Sequence, residues 1–290
     1  MKYALFLGCT IPARLPQYES SSRAVLRELG VEVVDIREFN CCGYPLRNTD
    51  FKAAILCATR NLALAERQGL EIVVLCQCGF GMLKYTASLL QENPALRGEI
   101  NTLLKREGLH FQGPVGVKHL LSVLSHDVGV DRIKEKVIRP YHDLRVATHY
   151  GCHALRPSEI TQFDDPVNPT LFETLVAVSG AQSIEWQARA ECCGAPLFGV
   201  NDELSMELTQ RKLLSAKQAG AQYLCTACPY CHIQFDTVQG MIPGERGADH
   251  LLPPILYPQL LGLSLGIEAE RLGLGMNEIE IRSIEKFLST

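Results

Sequence analysis

The chain has no run of 18 apolar residues, so no transmembrane helix is expected. It has no P-loop, no dinucleotide fingerprint and no flavin motif. Gly79-Phe80-Gly81 stands without the rest of a nucleotide-binding pattern. If the chain does redox chemistry, its electrons must therefore come from a partner. With a formal net charge of −4 there is no basic excess to favour nucleic acid. The opening Met1–Cys9 is too short for a signal peptide and reads as a first strand, which points to the cytoplasm. Structural disulfides are rare there, and clustered cysteines bind metal or do redox work.

Cysteine is what the chain has in excess: 12 in 290 residues, within an otherwise ordinary globular composition. Asn40-Cys41-Cys42-Gly43-Tyr44-Pro45-Leu46 is nearly repeated as Glu191-Cys192-Cys193-Gly194-Ala195-Pro196-Leu197. A Gly-Cys lies upstream of each copy, at Cys9 and Cys152, and a close cysteine pair downstream, Cys76/Cys78 and Cys228/Cys231. The repeat predicts two similar duplicated domains, 1–143 and 144–290. Each is long enough for its own core.

The predicted class is α/β, each half a small parallel sheet flanked by helices. In the first half, strands Tyr3–Leu7, Val31–Ile36 and Glu71–Leu75 alternate with helices Tyr18–Leu29 and Asp50–Gln68. Pro12 and Pro16 suggest an irregular segment, with Gln17 or Ser20 as the next N-cap. Met82–Leu90, Leu96–Glu107, His119–Leu124 and Asp131–Val137 read as further helices. In the second half, strands Leu144–Tyr150, Gln182–Trp186 and Ala221–Thr226 alternate with helices Thr170–Ser179 and Asp202–Ala219. Tyr257–Leu265 and Asn277–Leu288 read as closing helices. Every cysteine group falls at the carboxyl end of a strand, where open parallel sheets collect ligands.

Converging thiolates bind zinc or iron–sulfur clusters. The second half offers Cys152, Cys192, Cys193, Cys228 and Cys231, more than a tetrahedral zinc or an ordinary cubane needs. A four-cysteine zinc site with a spare thiol is the plainer alternative. The first half offers Cys9, Cys41 and Cys42, and then either or both of Cys76 and Cys78. Strand alignment leaves their register open by one residue, with Gly79 or Gly81 where Cys231 stands in the other copy. His149 and His153 flank Cys152. His153 is expected to bond a backbone group or a sulfur, with proton delivery as a further role. Cys57 and Cys225 read as core thiols, and Tyr230 as packing over the site. Arg14, Arg47 and Arg156 could neutralise an anionic cluster, bind an acidic substrate, or simply face solvent.

These motifs, together with His149-Tyr150-Gly151-Cys152-His153, Phe163-Asp164-Asp165-Pro166, Cys228-Pro229-Tyr230-Cys231-His232 and Gln259-Leu260-Leu261-Gly262-Leu263, resemble the CCG-domain family and, within it, the B-type subunit of heterodisulfide reductase. The resemblance implies an oxidoreductase in which each complete site holds a non-cubane [4Fe–4S] cluster, two clusters splitting a disulfide bound between them. It also implies two partners, a ferredoxin-like electron carrier and a flavoprotein of the same complex, with the coenzyme M–coenzyme B disulfide as the substrate in methanogens. Carried over by position, Cys152, Cys192, Cys193, Cys228 and Cys231 complete the second site. Cys9, Cys41, Cys42 and Cys76 match the first, with Gly79 in place of its last cysteine and Cys78 one place early. The first cluster is then cubane or non-cubane. Two other readings follow: a member of a related bacterial complex with another sulfur substrate, or an electron relay with no substrate of its own.

Overall fold

A computed structural model describes residues 1–242 and 251–289. The first half builds a four-stranded parallel sheet from β1 (Lys2–Phe6), β2 (Glu32–Val34), β3 (Glu71–Val74) and β4 (Val117–His119), in the order β2-β1-β3-β4. The second half repeats it with β5 (Arg145–His149), β6 (Gln182–Ile184), β7 (Tyr223–Thr226) and β8 (Pro254–Leu256), in the order β6-β5-β7-β8. Ile72, Val73 and Val74 are fully buried, as strands covered on both faces require.

The first half carries helices α1 (Thr10–Arg14), α2 (Pro16–Glu28), α3 (Phe51–Arg67), α4 (Gln77–Glu92) and α5 (Pro94–Leu104). A helical stretch follows as α6 (Leu120–Ser122), a π-helix over Val123–Gly129, and α7 (Val130–Lys136). The second half carries α8 (Cys152–Leu155), α9 (Ser158–Thr161), α10 (Leu171–Val178), α11 (Asp202–Gln218), α12 (Pro229–Asp236) and α13 (Tyr257–Ser264). The long helices α3 and α11 are started alike. Asp50 accepts from the Ala53 N–H and Asn201 from the Leu204 N–H, each relieving one of the orphan donors of a first turn.

Several expectations give way. Pro12 and Pro16 do not keep their segment irregular: Pro12 sits inside α1, and Pro16 opens α2 at its first position, where a missing N–H costs nothing. The N-cap of α2 is Leu15, not Gln17 or Ser20. His119 ends β4 rather than starting a helix, and Pro254 begins β8 before α13. Both strands are only three residues long, too short to show a period. The tail forms 3₁₀ turns at Leu274–Met276 and Arg282–Phe287 instead of a helix over Asn277–Leu288. Among the described residues no helix is long and apolar enough to cross a membrane.

One buried core runs through both halves, a smaller one lies within the second half, and polar contacts cross between the halves near the cysteine ends of the sheets. Gln77 Nε2 donates to the Tyr150 carbonyl, Lys84 Nζ to the Thr161 carbonyl, and Tyr44 Oη pairs with His153 Nε2 at 2.8 Å.

Candidate metal centre

Each Cys-Cys-Gly turn depends on its glycine. Gly43 and Gly194 adopt φ of 84° and 93°, in the left-handed region. A Cβ would also come within 2.4 Å of the Ala54 carbonyl oxygen, or 2.5 Å of that of Ser205. Both turns can therefore lie flat against the helix that follows, and this aims the two thiols back over the sheet.

The strand ends fix the register of the third group. β3 is followed by Leu75 and then Cys76 at the N-cap of α4; β7 is followed by Ala227 and then Cys228 at the N-cap of α12. Cys76 is thus the counterpart of Cys228, Gly79 of Cys231, and Cys78 of Tyr230. The same counting pairs Phe6 with His149, Thr10 with His153, and His119 with Leu256. In each half the first and third thiol groups flank the point where the strand order reverses, the ligand position of an open parallel sheet.

The thiols of the second half form one connected group. Cys152 lies against Cys192, Cys192 against Cys193, Cys193 against Cys231, and Cys231 against Cys228, each close enough to shift its neighbour's titration. They share a cavity of about 140 Å³ with Cys78, His153, Tyr44 and Tyr230. The first-half thiols Cys9, Cys41, Cys42, Cys76 and Cys78 line a second cavity of only about 10 Å³. Cys78 and Tyr230 line both. Cys76 touches Cys228 as well as Cys78, so the two thiol groups meet.

Protons are unevenly shared among these thiols. Hydrogen bonds from Cys42 to Cys41, and from Cys152 and Cys193 to Cys192, hold Cys41 and Cys192 well below the usual thiol range. The same contacts push Cys42 and Cys152 up, with burial adding to the rise. Cys228 is lowered by Cys231 and Cys76, and Cys78 by Cys76 and then His153. Thiols so closely packed are poised to shed protons to a cation.

A buried orphan points the same way. His149 is 1% exposed, and neither of its ring nitrogens makes a hydrogen bond; the Arg189 carbonyl lies beside the ring without completing one. Its ligand atom and the sulfurs of Cys193 and Cys231 lie within 4.8 Å of one another. An unpaired buried imidazole costs on the order of 1–3 kcal/mol unless a group held by those sulfurs satisfies it. Gln77 Oε1, on the cavity wall, is buried and unpaired too. The second-half donor set and cavity therefore fit an iron–sulfur group. The first half has the thiols with little space between them.

Of the remaining expected residues, Cys225 is fully buried, whereas Cys57 is half-buried rather than a core thiol. Tyr230 packs over both cavities, as anticipated. Arg47 stacks on the Tyr44 ring at 4.0 Å. It lines, with Arg156, Phe51 and Tyr85, a neighbouring pocket of about 320 Å³ that shares Tyr44 and His153 with the thiol cavity. Arg14 lines neither. Sequence reasoning missed Tyr44 and Gln77. Their only signal was that they replace Ala195 and Pro229 of the other copy.

The cysteine-rich CCG domain profile matches residues 3–84 and 146–236. The B-type subunit of ferredoxin:CoB-CoM heterodisulfide reductase from Methanosarcina mazei is 34% identical over 96% of this chain and 94% of its own length. The 8-methylmenaquinol:fumarate reductase membrane anchor subunit of Wolinella succinogenes is 33% identical, over 96% and 97%. A protein of Archaeoglobus profundus, described as like the B-type subunit of heterodisulfide reductase, is 30% identical over 93% of each chain. A crystal structure of a hypothetical protein from Helicobacter pylori shares the fold at TM-score 0.75 and 16% identity, covering 97% of this chain and 52% of that one. The fold and the twice-repeated thiol site define a cysteine-rich iron–sulfur protein. The chain belongs to the CCG family and, within it, to the B-type subunits of heterodisulfide reductase.

Proposed function

We propose that this chain is the disulfide-reducing subunit of a heterodisulfide-reductase-type complex. It holds two [4Fe–4S] clusters and receives electrons from a flavoprotein through a ferredoxin-like partner. Cys152, Cys192, Cys193, Cys228 and Cys231 hold the second cluster, of the non-cubane kind that five thiolates allow. Cys9, Cys41, Cys42 and Cys76 hold the first, with Cys78 as the remaining candidate. The observation that carries this is the second-half site: five linked thiols around a cavity of about 140 Å³, with an orphaned imidazole beside two of them.

A cluster bound there supplies single electrons next to a cavity open to small molecules. The protein does the rest. The pocket walled by Tyr44, Phe51 and Tyr85 admits a slender organic sulfur compound, and the Arg47 and Arg156 guanidiniums favour one with an acidic tail. Tyr44 holds His153 by its Nε2, which turns Nδ1 toward the sulfurs, where it can give or take a proton. Such a substrate could be a disulfide of coenzyme M–coenzyme B type or another thiol derivative.

A second reading is an electron relay. Support comes from the similarity, at 33% identity, to a chain named as the membrane anchor of a fumarate reductase. Iron and sulfide content of anaerobically purified protein, with EPR after oxidation and thiol addition, separates the two. About eight irons per chain and a thiol-induced S = 1/2 signal are expected from the reductase. Iron without any thiol-induced signal would favour the relay. Zinc in place of iron would overturn both.

A further inference from the structure

Lys212 is a charge buried where the other repeat has none. It lies in α11 with no exposed surface, a rare place for a lysine without a carboxylate partner. Its Nζ donates to the Ala188 carbonyl and, at 3.0 Å, to the Glu191 carbonyl, one residue before Cys192. It also sits over the Trp186 ring, 4.7 Å from the centroid. Among the described residues no carboxylate pairs with it, and Glu191 turns its own side chain to Arg211 at 2.6 Å. Burial lowers its pKa to about 8, and the thiols of Cys193 and Cys231 are the first groups to pull it back up. The same face of α11 holds the Cys-Cys-Gly turn at two more points. Thr209 Oγ1 donates to the Cys193 carbonyl and Ser205 Oγ to that of Gly194, both at 3.0 Å. The first half ties its turn differently. Counted from the helix caps Asp50 and Asn201, Ala54 and Ala58 stand for Ser205 and Thr209, and Asn61 stands for Lys212. Asn61, equally buried, donates to the Cys41 carbonyl at 3.2 Å and accepts from the Asn40 N–H at 3.0 Å, with a neutral amide. The two turns are thus tied to their helices at matching positions, and only one tie carries a charge.

We propose that Lys212 is the fixed counter-charge of the second-half iron–sulfur centre, and that it raises the potential of that centre so that electrons collect there. This rests on reading the second-half site as iron–sulfur. The sulfurs of Cys193 and Cys231 are then thiolates, and a thiolate-bound centre carries net negative charge. A buried ammonium without a counter-ion is costly, and the centre supplies one. Reduction adds one electron from the partner, with no bond made or broken, and so adds one negative charge. A positive charge held nearby at low dielectric stabilises the reduced form more than the oxidised one. Lys212 lines neither thiol cavity, so it acts through the centre and not on a substrate. Asn61 ties the first-half turn without that charge, so the bias falls on the half with the larger cavity.

The test is an EPR-monitored redox titration of the full chain, anaerobic and iron-replete, following the signal that Cys193→Ala abolishes. Lys212→Gln removes the charge and keeps an amide N–H for the turn carbonyls. Its iron content should match wild type, and its reduction equilibrium should fall by roughly tenfold or more, a midpoint lower by about 59 mV for one electron. Lys212→Arg keeps the charge and should hold the midpoint near that of wild type, which a merely structural role would not require. An iron-replete Lys212→Gln with an unmoved midpoint would overturn the proposal, as would a Lys212→Arg shifted as far as Lys212→Gln. Should Lys212→Gln lose iron, Lys212→Asn, which copies the other repeat, takes its place. Iron lost from both neutral variants and kept by Lys212→Arg would support the need for the charge, and iron lost from all three would overturn it. A wild type without iron defeats the iron–sulfur reading itself, an outcome distinct from any of these.

Discussion

The two halves of this molecule have the same skeleton and different contents. Cys9, Cys41, Cys42 and Cys76 stand where Cys152, Cys192, Cys193 and Cys228 stand, on sheets of the same strand order. The first cavity is nearly filled, at about 10 Å³, while the second has about 140 Å³. Around the second site the duplicate's small or apolar residues become chemical ones: Phe6 becomes His149, Thr10 becomes His153 and Gly79 becomes Cys231. The first half gives something back, because Tyr44 and Cys78 reach over to the second-half histidine. Duplication supplied two equivalent scaffolds. The departures from it gather the histidines and the larger cavity at one site and make the other a thiol-bearing wall beside it.

The sharpest way to break that comparison is to remove equivalent thiols. Cys193→Ala should abolish the second-half cluster's EPR signal and disulfide reduction together. Cys42→Ala should lower iron content but leave the second-half signal. Equal loss of every signal in both variants would show a single shared centre. Next in size is an acid effect that both halves carry, through His119 in the first and through His149 and His232 in the second, all held below the ordinary imidazole range by burial. Burial pushes His119 down to about 4, whereas its counterpart Leu256 cannot titrate. The folded state keeps His119 neutral while the unfolded chain takes up a proton first. Stability should therefore fall as pH drops from about 6.5 to about 4 and level off below, by about 3 kcal/mol from this group. His119→Leu should make that limb shallower by its own share in denaturant titrations, leaving the part due to His149 and His232, at the cost of the bond His119 accepts from the Leu121 N–H. A variant with the same acid limb would place the effect elsewhere. A third substitution restores the repeat. Gly79→Cys should raise iron per chain if the first site lacks only a ligand, with some strain, since a Cβ there meets Phe6 at 3.2 Å and Val74 at 3.3 Å. Unchanged iron content would mean that space, not ligand number, limits the first site.

How much of this could be read beforehand depended on what signals lie close together in sequence. The repeated Cys-Cys-Gly turns and the apolar strands ahead of each thiol were legible, because backbone geometry at Gly43 and Gly194 and the period of a buried strand are local. β4 and β8 were not, because three-residue strands next to a helix start have no period. Strand alignment alone left the register of Cys76 open by one residue, since strand ends do not announce themselves; the family resemblance chose Cys76, and its place at the N-cap of α4 agrees. The meeting of Cys78 and Tyr44 with His153 was out of reach. It is a contact between residues 75 and 109 positions apart, set by how the halves pack.

The smallest expected effect addresses the difference buried most deeply, that between Phe6 and His149. A neutral imidazole beside Cys193 and Cys231 can donate one N–H to a sulfur of the bound cluster, which stabilises the extra negative charge of the reduced form. Phe6 offers its thiols no such donor. His149→Phe keeps the site apolar and close in volume, and Phe235, edge-on to the ring at 5.1 Å, can still pack against it. Iron content should therefore stay near wild type. The cluster's midpoint should move to lower potential by roughly 40 mV, the one-electron equivalent of a hydrogen bond worth about 1 kcal/mol. An EPR-monitored redox titration reads this directly. An unmoved midpoint would mean that His149 does not touch the cluster. A loss of iron would make it a ligand rather than a donor, and the asymmetry between the halves would then lie in coordination instead of potential.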